Sequence, residues 1–486
     1  MSRRIRHVAL GLMVLYLVLF VQLNVIQLAR SEELRADPAN TREIVREFSE
    51  PRGSILTVDG EVLARSVSVE DELERLREYP DGELYGHITG FFSLNYGASG
   101  LERAFNAELA GTDNKVQLKT ISDLFVDRDR TADVIITVRH ELQRVARAAL
   151  GDRRGAVVAL DPRNGEILAM WSNPSFDPNR LSDHDLAAAA EARAELLADV
   201  DDPLRSRAYQ ERYPPGSTFK TVTAAAALES GVATPVEPVF PVTAEYLPPQ
   251  TTRPITNFGG SSCGGYLTEL LRVSCNTGFA ALGVAVGPQV LSGTARDFGF
   301  NDELPLDLPG GVESVFPPAD FFSDNLPLLA QSAIGQFEVA ATPIQMALVA
   351  ATIANDGVTM RPHIVSEVRD SDGALVSRTE PEVWATPISR DTAADLQQML
   401  ENVVVSGTAR RLRIEGVRVA GKTGTAEFGS GENTHAWIVA FAPVEDPRVA
   451  VVVFVQGDEE TGQQTGGTVA APIARQVLIT ALDLVS

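Results

Sequence analysis

Lysine is scarce in this chain. Among 486 residues it occurs only at Lys115, Lys119, Lys220 and Lys422, and arginine with six histidines supplies every other basic side chain. The bias reads as the composition of a GC-rich genome. It also leaves few amines able to serve as a base, and two of the four lie in motifs described below. Positive charge is short overall, with 42 basic against 65 acidic residues and a formal net charge of -23. That balance excludes nucleic acid as a natural partner. Cysteine occurs twice, at Cys263 and Cys275, and two cysteines alone make no metal site. No metal or organic cofactor is called for. Repeats and low-complexity segments are absent too. What is present is a globular composition, 44% hydrophobic and 22% charged, long enough for two or three domains.

One long apolar run opens the chain. Val8 to Ala29 is broken only by Gln22, Asn24 and Gln27, and it follows Arg3, Arg4 and Arg6. At about 1.5 Å per residue the run reaches roughly 33 Å, enough to cross a bilayer. The flanking arginines put residues 1–7 in the cytoplasm and everything after Arg30 outside. The run is too long for a usual signal-peptide core and lacks a clean small-x-small cleavage site, so it reads as an uncleaved anchor at 8–29. Outside the membrane the two cysteines can form one disulfide. The alternative is two unpaired thiols.

Residues 30–150 read as a more polar pedestal or interaction domain without a catalytic cluster. Within it, Pro51–Leu56 and Asp59–Ala64 read as a hairpin turning at Asp59-Gly60, and Glu70 to Tyr79 as a short charged helix. A helix is expected from Tyr96 through Leu109, a strand at Asp133–Val138 and a helix at Glu141–Leu150. Residues 151–486 change pattern. Ala156–Asp161 and Ile167–Trp171 form a hairpin across Asn164-Gly165, and His435–Phe441 with Arg448–Val455 a second. Leu186–Val200 and Ala470–Val485 are expected as helices. Two hairpins around a mostly helical middle predict an α/β (α+β) domain, an antiparallel sheet with helices packed on it.

Three clusters carry chemistry. In Tyr213-Pro214-Pro215-Gly216-Ser217-Thr218-Phe219-Lys220, the prolines and glycine forbid a helix before Ser217, and the alanine-rich stretch after it favours one. Ser217 and Lys220 then share a face. The first helical turn disfavours a cation, which lowers the cost of a neutral Lys220. A neutral amine beside a hydroxyl is a base beside a nucleophile. Read alone, the pair is equally a capping serine and a solvated lysine. The second cluster is Ser274-Cys275-Asn276, a hydroxyl and a carboxamide on one side of a turn. The third is Lys422-Thr423-Gly424-Thr425, on or just after a strand. There, Gly424 would let substrate approach the backbone, and Lys422 with Thr423 could hold a carboxylate. No P-loop glycine precedes it.

The ordered set S-x-x-K, S-x-N, K-T-G is the signature of penicillin-binding proteins and class A β-lactamases, with S-C-N here in the middle slot. Further stretches extend the likeness: Arg52-Gly53 with Asp59-Gly60, Gly97–Glu102, Gly155–Asp161, Ser332–Gln336 with Thr342–Gln345, and His435-Ala436-Trp437 with Ala442-Pro443. From the anchor onward the chain resembles class B penicillin-binding proteins, monofunctional peptidoglycan D,D-transpeptidases, and is most similar to an actinobacterial branch of that family. The resemblance implies a penicillin-binding/serine β-lactamase-like domain on an elongated α+β pedestal. It implies attack by Ser217 on the penultimate D-Ala carbonyl of a stem peptide, with Lys220 as base and Lys422 favouring its neutral form. Ser274 would relay a proton to the leaving amine, and Asn276 would orient the substrate amide and Lys220. Lys422, Thr423 and Thr425 would bind the terminal carboxylate, and the N–H groups of Ser217 and Thr425 would form an oxyanion hole. β-Lactams would acylate Ser217 and stay, because no deacylating base is evident. Glu427 and His435 are not expected to act in catalysis. With no glycosyltransferase region expected, glycan polymerisation would fall to a membrane polymerase partner, alongside elongation or division proteins. Rival readings are a β-lactamase, which the anchor and pedestal oppose, a non-catalytic sensor, and a D,D-carboxypeptidase that differs only in using water as acceptor.

Overall fold

The computed structural model describes residues 2–24, 48–112, 130–428, 433–458 and 462–485. The expected anchor is therefore described as far as Asn24, and its last five residues, 25–29, lie outside the described residues, as do 30–47 and Lys115 and Lys119. The chain divides into two compact units. One comprises Met1–Pro51 and Val67–Leu76, the other Arg52–Ser66 and Arg77–Ser486.

In the first unit, Ser2–Asn24 is one helix. Val8, Leu12, Met13, Tyr16, Leu17 and Phe20 are each more than half exposed, so apolar side chains lie open on every side of it. A helix of that kind needs an apolar surrounding.

Most of the two larger sheets lies in the second unit. In one, Ile55–Thr57 pairs antiparallel with Val62–Ser68, with Ile55 opposite Ala64, and turns at Asp59-Gly60, where Gly60 has φ +91°. Ile55–Thr57 also runs parallel to Ala132–Ile136. The next strand is Val365–Asp370, antiparallel to Ala132–Ile136 and drawn from far along the chain. The charged run 70–79 corrects an expectation. It forms no helix and ends in the strand Arg75–Glu78. Charge had suggested a solvated helix, but Arg77 is buried because its guanidinium pairs with Glu102 inside. The helix expected from Tyr96 to Leu109 is broken at Phe105 into Gly100–Ala104 and Asn106–Leu109.

The larger sheet has five strands: β1 Gly155–Leu160, β2 Ile167–Asn173, β3 Ala420–Phe428, β4 Asn433–Ala442 and β5 Val449–Val455. Their order is β3-β4-β5-β1-β2, antiparallel throughout. The two hairpins foreseen from sequence thus join through the β5–β1 pair, and β3 is added at one edge. β5 reads Val-Ala-Val-Val-Val-Phe-Val and is buried at every position, as suits a central strand covered on both faces. Helices α1 Lys220–Glu229, α2 Asn276–Val286, α3 Pro343–Ala354 and α4 Ala471–Val485 build the rest of the core around the site. Every residue of α3 is buried. Gly466–Val485, which includes α4, is long and apolar enough to cross a membrane. It nevertheless buries Ile473, Val477, Leu478 and Ala481, the face it lays on the core.

Candidate active site

Ser217 stands at the end of a braced turn. Tyr213 and Ala341 exchange backbone hydrogen bonds, and the Gly216 N–H donates to Gly335 O at 2.9 Å. Gly216 has φ +52°, and a Cβ there would fall 2.7 Å from Thr425 O. Only glycine lets the turn sit so close to β3. Gly216–Thr218 then forms a single 3-10 turn, and α1 begins at Lys220. Neither element is capped by a side chain, so the capping reading of Ser217 is not what the structure holds. The half-buried Ser217 instead faces a cleft of about 1000 Å³. α1 closes ahead of Gly231, which has φ +70°.

Two lysines lie beneath that cleft, both with no exposed surface. Lys220 Nζ donates to Asn276 Oδ1 at 2.7 Å, to Ser274 O at 2.8 Å and toward Ser274 Oγ at 3.3 Å. Lys422 Nζ donates to the same Ser274 Oγ at 2.8 Å and to Thr423 O at 2.9 Å. Among the described residues neither meets a carboxylate. Burial, and then the charge of Lys422, hold Lys220 well below its ordinary pKa. Burial alone lowers Lys422 to about 7. The leading cause is thus desolvation, where the sequence had suggested the helix dipole.

Ser274 and Asn276 come from a sharp junction. Ser274 ends the helix Leu267–Val273 in the left-handed region, at φ 61° and ψ 43°. A non-glycine residue persists there only when its surroundings over-determine it. Asn276 opens α2, and its Nδ2 donates to Thr256 O at 3.0 Å. Cys275, between them, is bonded to Cys263.

β3 brings the third cluster alongside. It is the edge strand, so one side of its backbone is left unpaired by the sheet. Thr423 and Thr425 line the cleft, and Thr423 Oγ1 shares a 2.6 Å hydrogen bond with Thr408 Oγ1. Gly424 serves a different end from the one expected. A Cβ there would meet Trp437 Cβ at 2.8 Å, Thr218 Cγ2 at 2.9 Å and Pro215 O at 3.0 Å. The missing side chain makes room for the Ser217 turn to pack on β3. Glu427 is exposed at the cleft rim. His435 is packed edge-on against Tyr213 and Phe454, and its Nδ1 accepts from Gly457 N–H at 3.0 Å. Burial lowers its pKa to about 4. Sequence reasoning missed Thr408, Arg410 and Arg411 on the cleft wall. No local pattern ties them to β3.

Comparison with known proteins agrees with this arrangement. Residues 155–479 match the penicillin-binding protein transpeptidase domain family, and residues 52–135 match the penicillin-binding protein A dimerisation domain. The chain is 42% identical to a peptidoglycan D,D-transpeptidase PbpA of Mycolicibacterium smegmatis, covering 99% of both chains. It is 39% identical to the protein of that name from Mycobacterium tuberculosis, again over 99% of both. A solved structure of penicillin-binding protein A from M. tuberculosis, a ceftriaxone acyl-enzyme complex, superposes with a TM-score of 0.83 at 38% identity. That match covers 90% of this chain and 100% of the other.

Proposed function

The chain belongs to the penicillin-binding protein transpeptidase family and is a serine-type peptidoglycan D,D-transpeptidase, and we propose that its acyl-enzyme forms on Ser217 with Lys220 as the base. The observation that carries this is a fully buried Lys220 with no carboxylate at hydrogen-bond distance among the described residues and a second lysine sharing its serine partner. A neutral amine has two N–H groups. Ser274 O and Asn276 Oδ1, the two nearest acceptors, take both and leave the lone pair for a hydroxyl proton.

Ser217 Oγ attacks the penultimate D-Ala carbonyl as its proton passes to Lys220. Charge develops on the carbonyl oxygen, which the N–H groups of Ser217 and Thr425 receive. The C–N bond then breaks, and Ser274, poised between both lysines, passes a proton to the departing D-Ala amine. Thr423, Thr425 and Lys422 hold the terminal carboxylate. The amine of a second stem peptide displaces Ser217 and completes the cross-link. With a β-lactam the amide opens by the same attack, but the leaving nitrogen stays tethered. No carboxylate reaches Lys220 or Lys422 among the described residues to activate a water in its place, so the adduct is long-lived.

The organisation follows the same reading: a cytoplasmic tail at 1–7, an anchor at 8–29, a pedestal at 30–150 and the transpeptidase domain at 151–486. The open apolar surface of Ser2–Asn24 supports the anchor, and the family matches on either side of 150 support the division. The catalytic domain then lies outside the cytoplasm, and a membrane glycan polymerase supplies its strands. The test is labelling with a fluorescent penicillin followed by peptide mapping. One label per chain on Ser217, absent from Ser217→Ala, is expected. A label mapped elsewhere, or retained by the alanine variant, sinks the assignment.

A further inference from the structure

The turn that carries Ser274 and Asn276 is strained, so something must hold it. The bonds from Lys220 and Lys422 hold it from beneath. Its outer side leans on a flap that rims the cleft, built from two small hairpins. Phe240–Thr243 pairs with Cys263–Gly265, and Glu245–Tyr246 pairs with Ile255–Thr256. Most of the flap is open to solvent, with Val242 73%, Leu247 57% and Phe258 55% exposed. One polar residue between exposed neighbours is not: Asn257 is 5% exposed.

Asn257 is fully engaged. Its Nδ2 donates to Thr243 O at 3.0 Å and to Ser261 O at 2.9 Å, both in the flap. Its Oδ1 accepts the Thr277 N–H at 3.0 Å. Thr277 is the second residue of α2, and a helix start leaves such N–H groups without an internal acceptor. The residue in the capping position, Cys275, supplies no side-chain cap, since its sulfur is in the disulfide. Asn257 therefore caps α2 from twenty residues upstream. The neighbouring Thr256 O receives the Asn276 amide, whose oxygen holds Lys220.

We propose that Asn257 is a positioning residue for acylation: by capping α2 from the flap it fixes the Ser274–Asn276 turn, and through Asn276 it sets the orientation of Lys220. It borders the cleft, but its amide groups are all spent on the protein. This inference rests on the assignment of Lys220 as base. An untethered turn leaves Asn276 Oδ1 free to drift and lets water reach Lys220, whose pKa then rises toward its ordinary value. Because only the neutral amine accepts the proton, the acid limb of the acylation rate moves to higher pH.

The test uses the purified full-length chain and two substitutions, Asn257→Ala and Asn257→Asp. The aspartate keeps the oxygen that caps α2 but gives up the two donations to Thr243 O and Ser261 O, so it separates the cap from the tie to the flap. The second-order rate of acylation by fluorescent penicillin is measured from pH 6 to 9, with the thermal unfolding midpoint beside it. Asn257→Ala is expected to slow acylation by about tenfold to a hundredfold, shift the acid limb upward and leave the midpoint within a few degrees. Asn257→Asp is expected to fall between wild type and Asn257→Ala at pH 8, since the cap on α2 is kept and the tie to the flap is lost. Acylation of Asn257→Ala at the wild-type rate overturns the proposal. So does an aspartate variant as slow as alanine with an unmoved acid limb, or a rate loss matched by loss of folded protein. If wild type itself fails to label at Ser217, the site assignment falls instead, and the two failures are distinct.

Discussion

Two places in this molecule bury a pair of cations, and they resolve the problem in opposite ways. Beneath the N-terminal sheet, Arg52 and Arg77 are 4% and 2% exposed and both bind Glu102, which is wholly buried. Arg52 Nε reaches Glu102 Oε2 at 2.7 Å and Arg77 Nε reaches Oε1 at 2.6 Å. The Tyr79 hydroxyl adds a third donor at 3.2 Å. Burial pushes the Glu102 carboxyl up, but the charges and hydrogen bonds of Arg77 and Arg52 outweigh it and hold the group below its ordinary value. Beneath the cleft, the partners of Lys220 and Lys422 among the described residues are hydroxyl, carboxamide and carbonyl oxygens, and Ser274 Oγ is common to both. Guanidinium does not give up its proton in proteins, so the arginines need a carboxylate. An ammonium can, so both lysines respond with a lowered pKa. Where the carboxylate is present, the cluster fixes a fold. Where it is withheld, the cluster lowers the affinity of its amines for a proton.

The sharpest way to break this comparison is to remove the amine that lacks a carboxylate. Lys220→Met keeps the shape and deletes the amine. Acylation should fall by about a hundredfold to ten-thousandfold, while the unfolding free energy falls by only about 1–3 kcal/mol, the cost of leaving Ser274 O and Asn276 Oδ1 without their donor. A rate near wild type, or a marked loss of stability, would erase the distinction between the two clusters. Glu102→Ala is the mirror case. It strands two buried guanidiniums and should lower the unfolding free energy by about 3–5 kcal/mol. The protein that remains folded should still acylate Ser217 at the wild-type rate. A milder effect, read by thermal unfolding against pH, follows from the opposite directions of the two shifts. Glu102 contributes stability above its unfolded pKa and loses it as pH falls through the lower folded value. Lys422 binds a proton more weakly when folded than unfolded, so its contribution rises with pH from about 7 toward its ordinary 10.5. Lys422→Met should flatten the rise between pH 7 and 9 and leave the acid side alone. An unchanged slope would mean that the buried amine does not titrate in that range.

Much of the site was legible because its parts are local. Gly216-Ser217 with Lys220, Ser274 with Asn276, and Lys422 through Thr425 each occupy a few residues. Turn chemistry and an i, i+3 spacing are enough to orient them. The hairpins at Ile55–Ala64, Gly155–Asn173 and Asn433–Val455 were legible for the same reason, with Asn-Gly, Asp-Gly or proline-bounded turns between apolar runs. Residues 70–79 were misread because their charges suggest solvent, and only the distant Glu102 explains why Arg77 turns inward. Gly424 was assigned to substrate because sequence shows a missing side chain but not what fills the space.

The sequence by itself determined which groups could be nucleophile, base and relay, since residue type and short spacing fix chemistry and local direction. It also determined the two hairpins on which the sheet is built. Only the tertiary structure decided that Val365–Asp370 completes a sheet begun at Ile55, and that Thr408 meets Thr423. It alone decided that Asn257 caps a helix twenty residues on and that Lys422 reaches Ser274 across 148 residues. The charge state of Lys220 belongs to that second group. A pKa depends on what surrounds an amine once water has been excluded, and that surrounding exists only when segments far apart in the chain pack together.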